Sequence, residues 1–430
     1  MKNRFALFLI IIVSVSCMRY SISSPQDKNQ LRLDELVTEA VRNNPQLQAA
    51  RHSAAASRTR IDQVISLDAP QVGVEFFQVP VGSFPNPFRN NMETDYSIQQ
   101  MIPFPGKLSA MGQAAENNAD MVEQSARALE HKIIKDLKTA YYELYLVQQK
   151  IQFNHDNQEL MHRFLDIAQS QYEVGMGKQP DILRAQTELS TLINDGITLQ
   201  KEKTVVEAMI NTLLNRPVAS PLGEVPEIEA NISQWTLDQL RPLVIENRPE
   251  LKEMDLNIAM NRAELSVSKR EYLPDFMVRT MYKDMAMTRD DFWSVMIGIS
   301  IPLSPWSSGK YTARVEENTL NVNKAEAEYQ NMRNMVFFEV QDALVKVQTN
   351  RNQVELYKKT IIPQAEQTLQ STIAAYQTGK TEFLMLIDAY RMLLMVKNDH
   401  AMAVMNYMAS QAELEQAVGL DVKEIIEKIQ

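Results

Sequence analysis

The chain has 430 residues, with 54 acidic against 44 basic side chains and a formal net charge of −10. With no basic block, that balance argues against nucleic acid as the main partner. Only 12 glycines beside 24 methionines suit a helix-rich protein, and a single cysteine excludes an intrachain disulfide or a cysteine-based zinc site.

The N-terminus reads as an export signal over residues 1–16. Lys2 and Arg4 precede an almost purely apolar run from Phe5 to Ser16, too short to span a bilayer as a helix. Cys17 follows directly, in S-V-S-C-M. Small residues before a lone cysteine at that place resemble a bacterial lipoprotein cleavage box, with Ser14 where leucine is usual. The expectation is lipidation of Cys17; the alternative is an ordinary signal peptide. Beyond Cys17 no apolar run is long enough for a transmembrane helix, so a membrane crossing would use strands.

Residues 17–32 form a polar N-terminal arm. Leu33, Leu36, Val37, Ala40 and Val41 then recur at helical spacing. Asn43-Asn44-Pro45 ends that helix and starts another, with Asn44 as N-cap and Pro45 at the first helical position. The second helix runs to about Leu67. Two strands follow, at about 71–79 and 94–102. Val72, Val74 and Phe76 alternate with Gln71, Gly73 and Glu75, and Tyr96, Ile98 and Ile102 with Asp95, Ser97 and Gln99. After the breaker I-P-F-P-G-K comes a helix from Lys107 to Val174, roughly 100 Å long at 1.5 Å per residue. A turn at Gly175 leads to a shorter helix, Pro180 to Leu214.

The whole unit returns at a constant offset of 204 residues, as in Leu33/Leu237, Pro45/Pro249, Tyr172/Tyr376, Gly175/Gly379 and Ala185/Ala389. Its strands fall at about 275–283 and 292–301. Its long helix runs from Lys310 to Tyr376, with a kink predicted at Pro363. Its last helix runs from Glu382 to about Val418. The chain thus divides into a first repeat at 33–215, a linker at 216–234, a second repeat at 235–420 and a tail at 421–430. In each half the two shorter helices together fall short of the long one. They can stack end to end beside it, with the spare segments 33–42, the linker and the tail covering the gap. The strands are either soluble hairpins packed on helices or pieces of a barrel wall. Four strands cannot close a barrel, so a barrel would draw strands from several subunits.

The duplicated helix–β-hairpin–long helix–turn–helix unit, the N-x-P openings and the paired Y-x-x-G turns together resemble the TolC-like outer-membrane efflux proteins, over nearly the whole mature chain. The resemblance implies a mainly α fold with a small β part, built as a homotrimer. Twelve strands would share one outer-membrane barrel, and the helices would form a tunnel across the periplasm. The turns would be its periplasmic tip, opened by a periplasmic adaptor and an inner-membrane pump of the RND type. The join I-P-F-P-G-K-L is similar to members serving heavy-metal pumps. Asp181 matches the family's first tip aspartate, Asp388 a second-repeat ring aspartate and Tyr376 the tip tyrosine. With Tyr172 they are the candidate pore and gate residues, and Gly175 and Gly379 shape the turns. Met385 and Thr381 stand where other members carry an aspartate and an arginine, so the tip is expected to be held shut less by charge pairs. Asp181 could equally do no more than favour its helix N-terminus.

His155 and His162, seven apart on one helix, could pair on a metal or simply be solvated. The methionines could be soft-metal ligands or core gap-fillers; the expectation is packing, with no metal or cofactor. No phosphate loop, nucleophile elbow or paired-carboxylate pattern points to an enzyme. The expected function is a passive exit duct of a tripartite efflux system. The alternatives are the outer-membrane component of type I protein secretion and a coiled-coil scaffold without a pore.

Overall fold

The computed structural model describes residues 30–88, 91–228, 235–285, 290–302 and 304–429; the expected signal peptide and Cys17 lie outside them. The first repeat contains α1 (Leu33–Asn43), α2 (Pro45–Ile65), β1 (Gln71–Phe77), β2 (Glu93–Ile102), α3 (Lys107–Glu173) and α4 (Gln179–Leu213). The second contains α5 (Leu237–Asn247), α6 (Pro249–Arg270), β3 (Phe276–Met285), β4 (Phe292–Ile299), α7 (Ser308–Leu356), α8 (Ile362–Gln377) and α9 (Phe383–Val418). A short α10 (Val422–Ile429) follows.

Local chemistry sets the joins. The Asn44 side chain accepts hydrogen bonds from the backbone N–H groups of Gln46 at 3.0 Å and Leu47 at 3.2 Å, and Pro45 fills the first helical position. The repeat has diverged here. Arg248, the counterpart of Asn44, makes no side-chain cap. Its guanidinium instead pairs with Glu250 at 2.8 Å and Glu339 at 2.9 Å while 5% exposed. The first strand stops two residues short of the expected Val79 because Gln78 turns to φ 51°. The fourth ends at Ile299 rather than 301. The kink at Pro363 takes the form of a π-helical turn over Tyr357–Ile361. Proline offers no N–H to the carbonyl four residues back and its ring crowds that carbonyl, so the ladder takes in an extra residue just upstream.

With 67 residues, α3 is roughly 100 Å long at 1.5 Å per residue. Both α2 and α4 lie along it, while α6 packs on α7 and α9 packs on α7 and α8. α3 also packs on α6 and α9, which joins the halves. The largest core lies at the waist of this column. There α1, α5, α10 and residues of the 216–235 segment close over the long helices, burying Leu36, Leu137, Trp235, Leu240 and Ile425. Each fully buried side chain of this kind contributes about 1.5–3 kcal/mol. A second, separate core gathers Phe164, Leu192, Tyr376, Phe383, Leu386 and Tyr390 near the turns.

The four strands form one antiparallel sheet in the order β1-β2-β3-β4, so the β2–β3 pairing crosses between the repeats. Register separates two faces. Glu75 stands opposite Asp95, and Asp95 opposite Lys283, on one face. Val74 stands opposite Tyr96, and Tyr282 opposite Trp293, on the other. That second face is apolar and bare: Val72 is 78% exposed, Trp293 75% and Ile297 73%. Among the described residues, both edges of the sheet are open. No helix among the described residues is long and apolar enough to cross a membrane.

Candidate gate at the helical tip

The repeated Y-x-x-G motif is a helix C-terminal signal twice over. In the first turn Gly175 N–H donates to the Tyr172 carbonyl at 3.0 Å and Met176 N–H to that of Gln171 at 2.9 Å. In the second, Gly379 N–H donates to Tyr376 at 3.0 Å and Lys380 N–H to Ala375 at 2.9 Å. These are Schellman pairs, which satisfy carbonyls that a helix end leaves orphaned and require a left-handed residue after the cap. Gly175 and Gly379 supply it, at φ 75° and 72°.

The two turns lie side by side around a cleft of about 390 Å³. Asp181, Tyr376, Gly379 and Thr381 line it together with Lys178, Arg184 and Lys380. Tyr172, Gly175 and Asp388 do not. The two tyrosines of the repeat therefore have different surroundings. Tyr172 is 49% exposed, whereas Tyr376 is 7% exposed with its ring edge-on to Phe383 at 5.4 Å. The Tyr376 hydroxyl is buried without a hydrogen-bond partner among the described residues. Burial, and then the charge of Asp181, raise its pKa above the ordinary tyrosine value. Phe383 explains the difference, because its counterpart in the first repeat is Gln179. Asp388 is exposed on α9, and Met385 beside it is 56% exposed.

Sequence reasoning missed the polar contacts that tie the two hairpins within one chain. Arg391 Nε donates to Glu188 Oε1 at 3.0 Å, and a second guanidinium nitrogen reaches Oε2, a two-pronged ion pair between α9 and α4. The Glu188 carboxylate raises the guanidinium pKa further, with a smaller contribution from Asp388. Lys178 Nζ lies 3.6 Å from a Glu382 oxygen, and the Gln171 amide donates to the Gln377 carbonyl at 3.3 Å. Fewer charges at the family's positions do not leave this tip without ionic links. The only signal in the sequence is that Glu188 and Arg391 sit at nearly equivalent places in the two repeats.

The profile described as "Outer membrane efflux protein" matches residues 36–216 and again 240–420. The chain belongs to the outer membrane efflux protein family. It is similar to the outer membrane protein TolC of Escherichia coli K12, 21% identical over 443 residues, covering 96% of this chain and 86% of the relative. It is also similar to nodulation protein T of Rhizobium leguminosarum bv. trifolii, 21% identical over 348 residues with 77% and 72% covered. The cation efflux system protein CusC of E. coli K12 is 19% identical over 371 residues, with 83% and 80% covered. Among solved structures, the fold matches CusC with a TM-score of 0.77 at 17% identity, over 91% of this chain and 92% of that one. It matches the outer-membrane channel OprN with a TM-score of 0.76 at 18% identity, over 90% and 89%. The chain is an outer-membrane efflux channel of this family and not an enzyme.

Proposed function

We propose that three copies of this chain assemble into one passive duct that carries small molecules or metal ions out of the cell. The observation that carries this reading is the sheet. A four-stranded sheet with two open edges and a bare face of valine, isoleucine and tryptophan is stable only if its edges are paired and that face is covered. Three such sheets joined edge to edge make a closed twelve-stranded barrel, its apolar face toward lipid and its charged face toward water. The helical columns beneath then form a tunnel through the periplasm, and the paired turns form its far end. There the tip meets a periplasmic adaptor and an inner-membrane pump, which opens the ring around Asp181 and Asp388 with Tyr172 and Tyr376 at its base. Cys17, acylated after signal cleavage, anchors the arm in the outer membrane.

The test is a deletion strain. Loss of tolerance to small molecules or metals, restored by the wild-type gene, supports efflux. Loss of a secreted protein with tolerance intact assigns the duct to type I secretion instead. A chain that fractionates as a soluble monomer is the coiled-coil scaffold and ends the duct reading. Labelling with a radioactive fatty acid, compared with Cys17→Ala, checks the anchor; equal labelling of both rejects it.

A further inference from the structure

The connection between β1 and β2 is apolar where a loop facing water would be polar. From Phe76 to Phe88 the sequence carries no charged residue, and Val79, Val81, Phe84 and Phe88 are spaced along it. The connection between β3 and β4, at the same end of the sheet, carries Asp284, Arg289, Asp290 and Asp291. Val81 is 94% exposed and Phe84 89%. Isolated exposed hydrophobes are ordinary, but a run of them on one uncharged connection marks an interaction surface.

The loop is built to leave water. Pro80, Pro85 and Pro87 have no backbone N–H to satisfy. The N–H groups of Ser83 and Phe84 donate to the carbonyls of Pro80 at 2.8 Å and Val81 at 3.2 Å, in a 3₁₀ turn over Val81–Ser83. The Asn86 N–H donates to the Ser83 carbonyl at 2.7 Å, and the Phe88 N–H to the Asn86 side-chain oxygen at 3.0 Å. A loop that satisfies its own donors loses less on entering a water-poor layer. Its direction is set by Phe88, whose ring meets that of Phe76 edge-on at 4.6 Å. Phe76 follows Val72 and Val74 on the bare apolar face, since alternate residues of a strand share a face. Another copy would join in the plane of the sheet, at the edge of β1, whereas Phe88 stacks out of that plane on the apolar side.

We propose that the loop 79–88 is a membrane-surface anchor. Val81, Phe84 and Phe88 insert among the lipid acyl chains at the outer rim of the barrel, while Asp290 and Asp291 on the other connection stay in water. The inference rests on the duct reading, which turns the apolar face toward lipid. It goes beyond that reading by adding a lipid contact outside the barrel wall and by giving the two hairpin connections different surroundings.

The experiment uses the full-length protein in phosphatidylcholine vesicles, with and without bromine on the acyl chains, which quenches tryptophan only from within the lipid. Of the three tryptophans, Trp235 is buried at the waist, Trp293 lies on the apolar face and Trp306 is exposed at the β4–α7 join. The background variant is Trp293→Phe with Trp306→Phe, in which Trp235 gives the same emission throughout. Phe84→Trp or Asp290→Trp adds one probe to it; both positions are exposed, so the substitution leaves the packing alone. Trp306→Phe by itself keeps Trp293 as a reference for the barrel wall. Brominated lipid is expected to quench the Phe84→Trp probe as strongly as the Trp293 reference, and to leave the Asp290→Trp probe bright and open to iodide in water. Quenching of Phe84→Trp by iodide and not by lipid returns the loop to solvent, and protection from both sets it against another copy. Either result overturns the proposal, as does equal lipid quenching of both probes. A Trp293 reference that brominated lipid leaves bright removes the barrel wall and the premise with it, whereas a quenched reference beside an unquenched loop removes the anchor alone.

Discussion

If the tip opens as proposed, the ion pair between Glu188 and Arg391 is expected to set a measurable part of the barrier to opening. It bridges α4 and α9, which come from different repeats and must separate if the tip widens. The Glu188 side chain is 12% exposed and that of Arg391 58%. An exposed pair contributes under about 1 kcal/mol and a charge-assisted bond in a drier site up to about 3 kcal/mol. With one partner half in water and the other nearly dry, about 1 kcal/mol per protomer is the expected coupling. If three protomers open together, the loss is about 3 kcal/mol, or roughly a hundredfold in the open-to-closed ratio. Arg391→Ala is therefore expected to raise the open probability of single channels by about that factor. The single variant also strands a nearly buried carboxylate, which adds a penalty unrelated to the pair. The double-mutant cycle with Glu188→Ala removes that term and isolates the coupling. Arg391→Lys keeps the charge but not the two-pronged geometry, and its open probability should fall between wild type and Arg391→Ala. Additive effects in the cycle, or an Arg391→Ala channel as closed as wild type, would refute the argument.

Tyr376→Phe removes a buried hydroxyl that has no partner among the described residues, so the unfolding midpoint should stay level or rise, whereas Tyr376→Ala should cost about 3–5 kcal/mol. A Tyr376→Phe channel that leaks would assign the hydroxyl to a contact between protomers. Gly419 sits at φ 82°, and a Cβ there would lie 2.9 Å from the Asn247 carbonyl oxygen, whereas Gly175 at φ 75° has open space. Gly175→Ala should thus cost only the left-handed backbone term of about 1–2 kcal/mol, and Gly419→Ala clearly more in the same denaturant titration. Burial lowers the pKa of His131 beneath the ordinary value of 6.5, against the partial opposition of Glu130 and Glu250. The unfolded chain then binds this proton more readily than the folded one. The contribution is complete above 6.5 and is lost as pH falls from there through the lowered folded value, and His131→Gln should flatten that part of a stability-versus-pH curve.

What could be read from the sequence was local or periodic. The Y-x-x-G turns were legible because a Schellman end needs a left-handed residue at one fixed place. The Asn44–Pro45 restart is a cap with its own signature, and the two faces of each strand follow from a period of two. Pro363 announced a break but not its form, since a π-helical turn and a bend start from the same missing N–H. Asp181 and Tyr376 were found by matching them to the tip residues of the family the sequence resembles, and both line one cleft. Tyr172 and Tyr376 could not be told apart by motif; the difference lies in Phe383 against Gln179, one turn beyond. The Glu188–Arg391 pair left no local trace, because its partners are 203 residues apart and meet only when two hairpins pack.

Single-channel recording of the purified full-length protein in planar bilayers tests the central claim most directly. A trimeric duct gated at its tip gives discrete, infrequent openings in wild type. Asp181→Asn with Asp388→Asn lowers its preference for cations. A protein that forms no conducting steps, or one that conducts with selectivity unchanged by both substitutions, would contradict the account: the first denies the duct, and the second leaves the tip turns as structure alone.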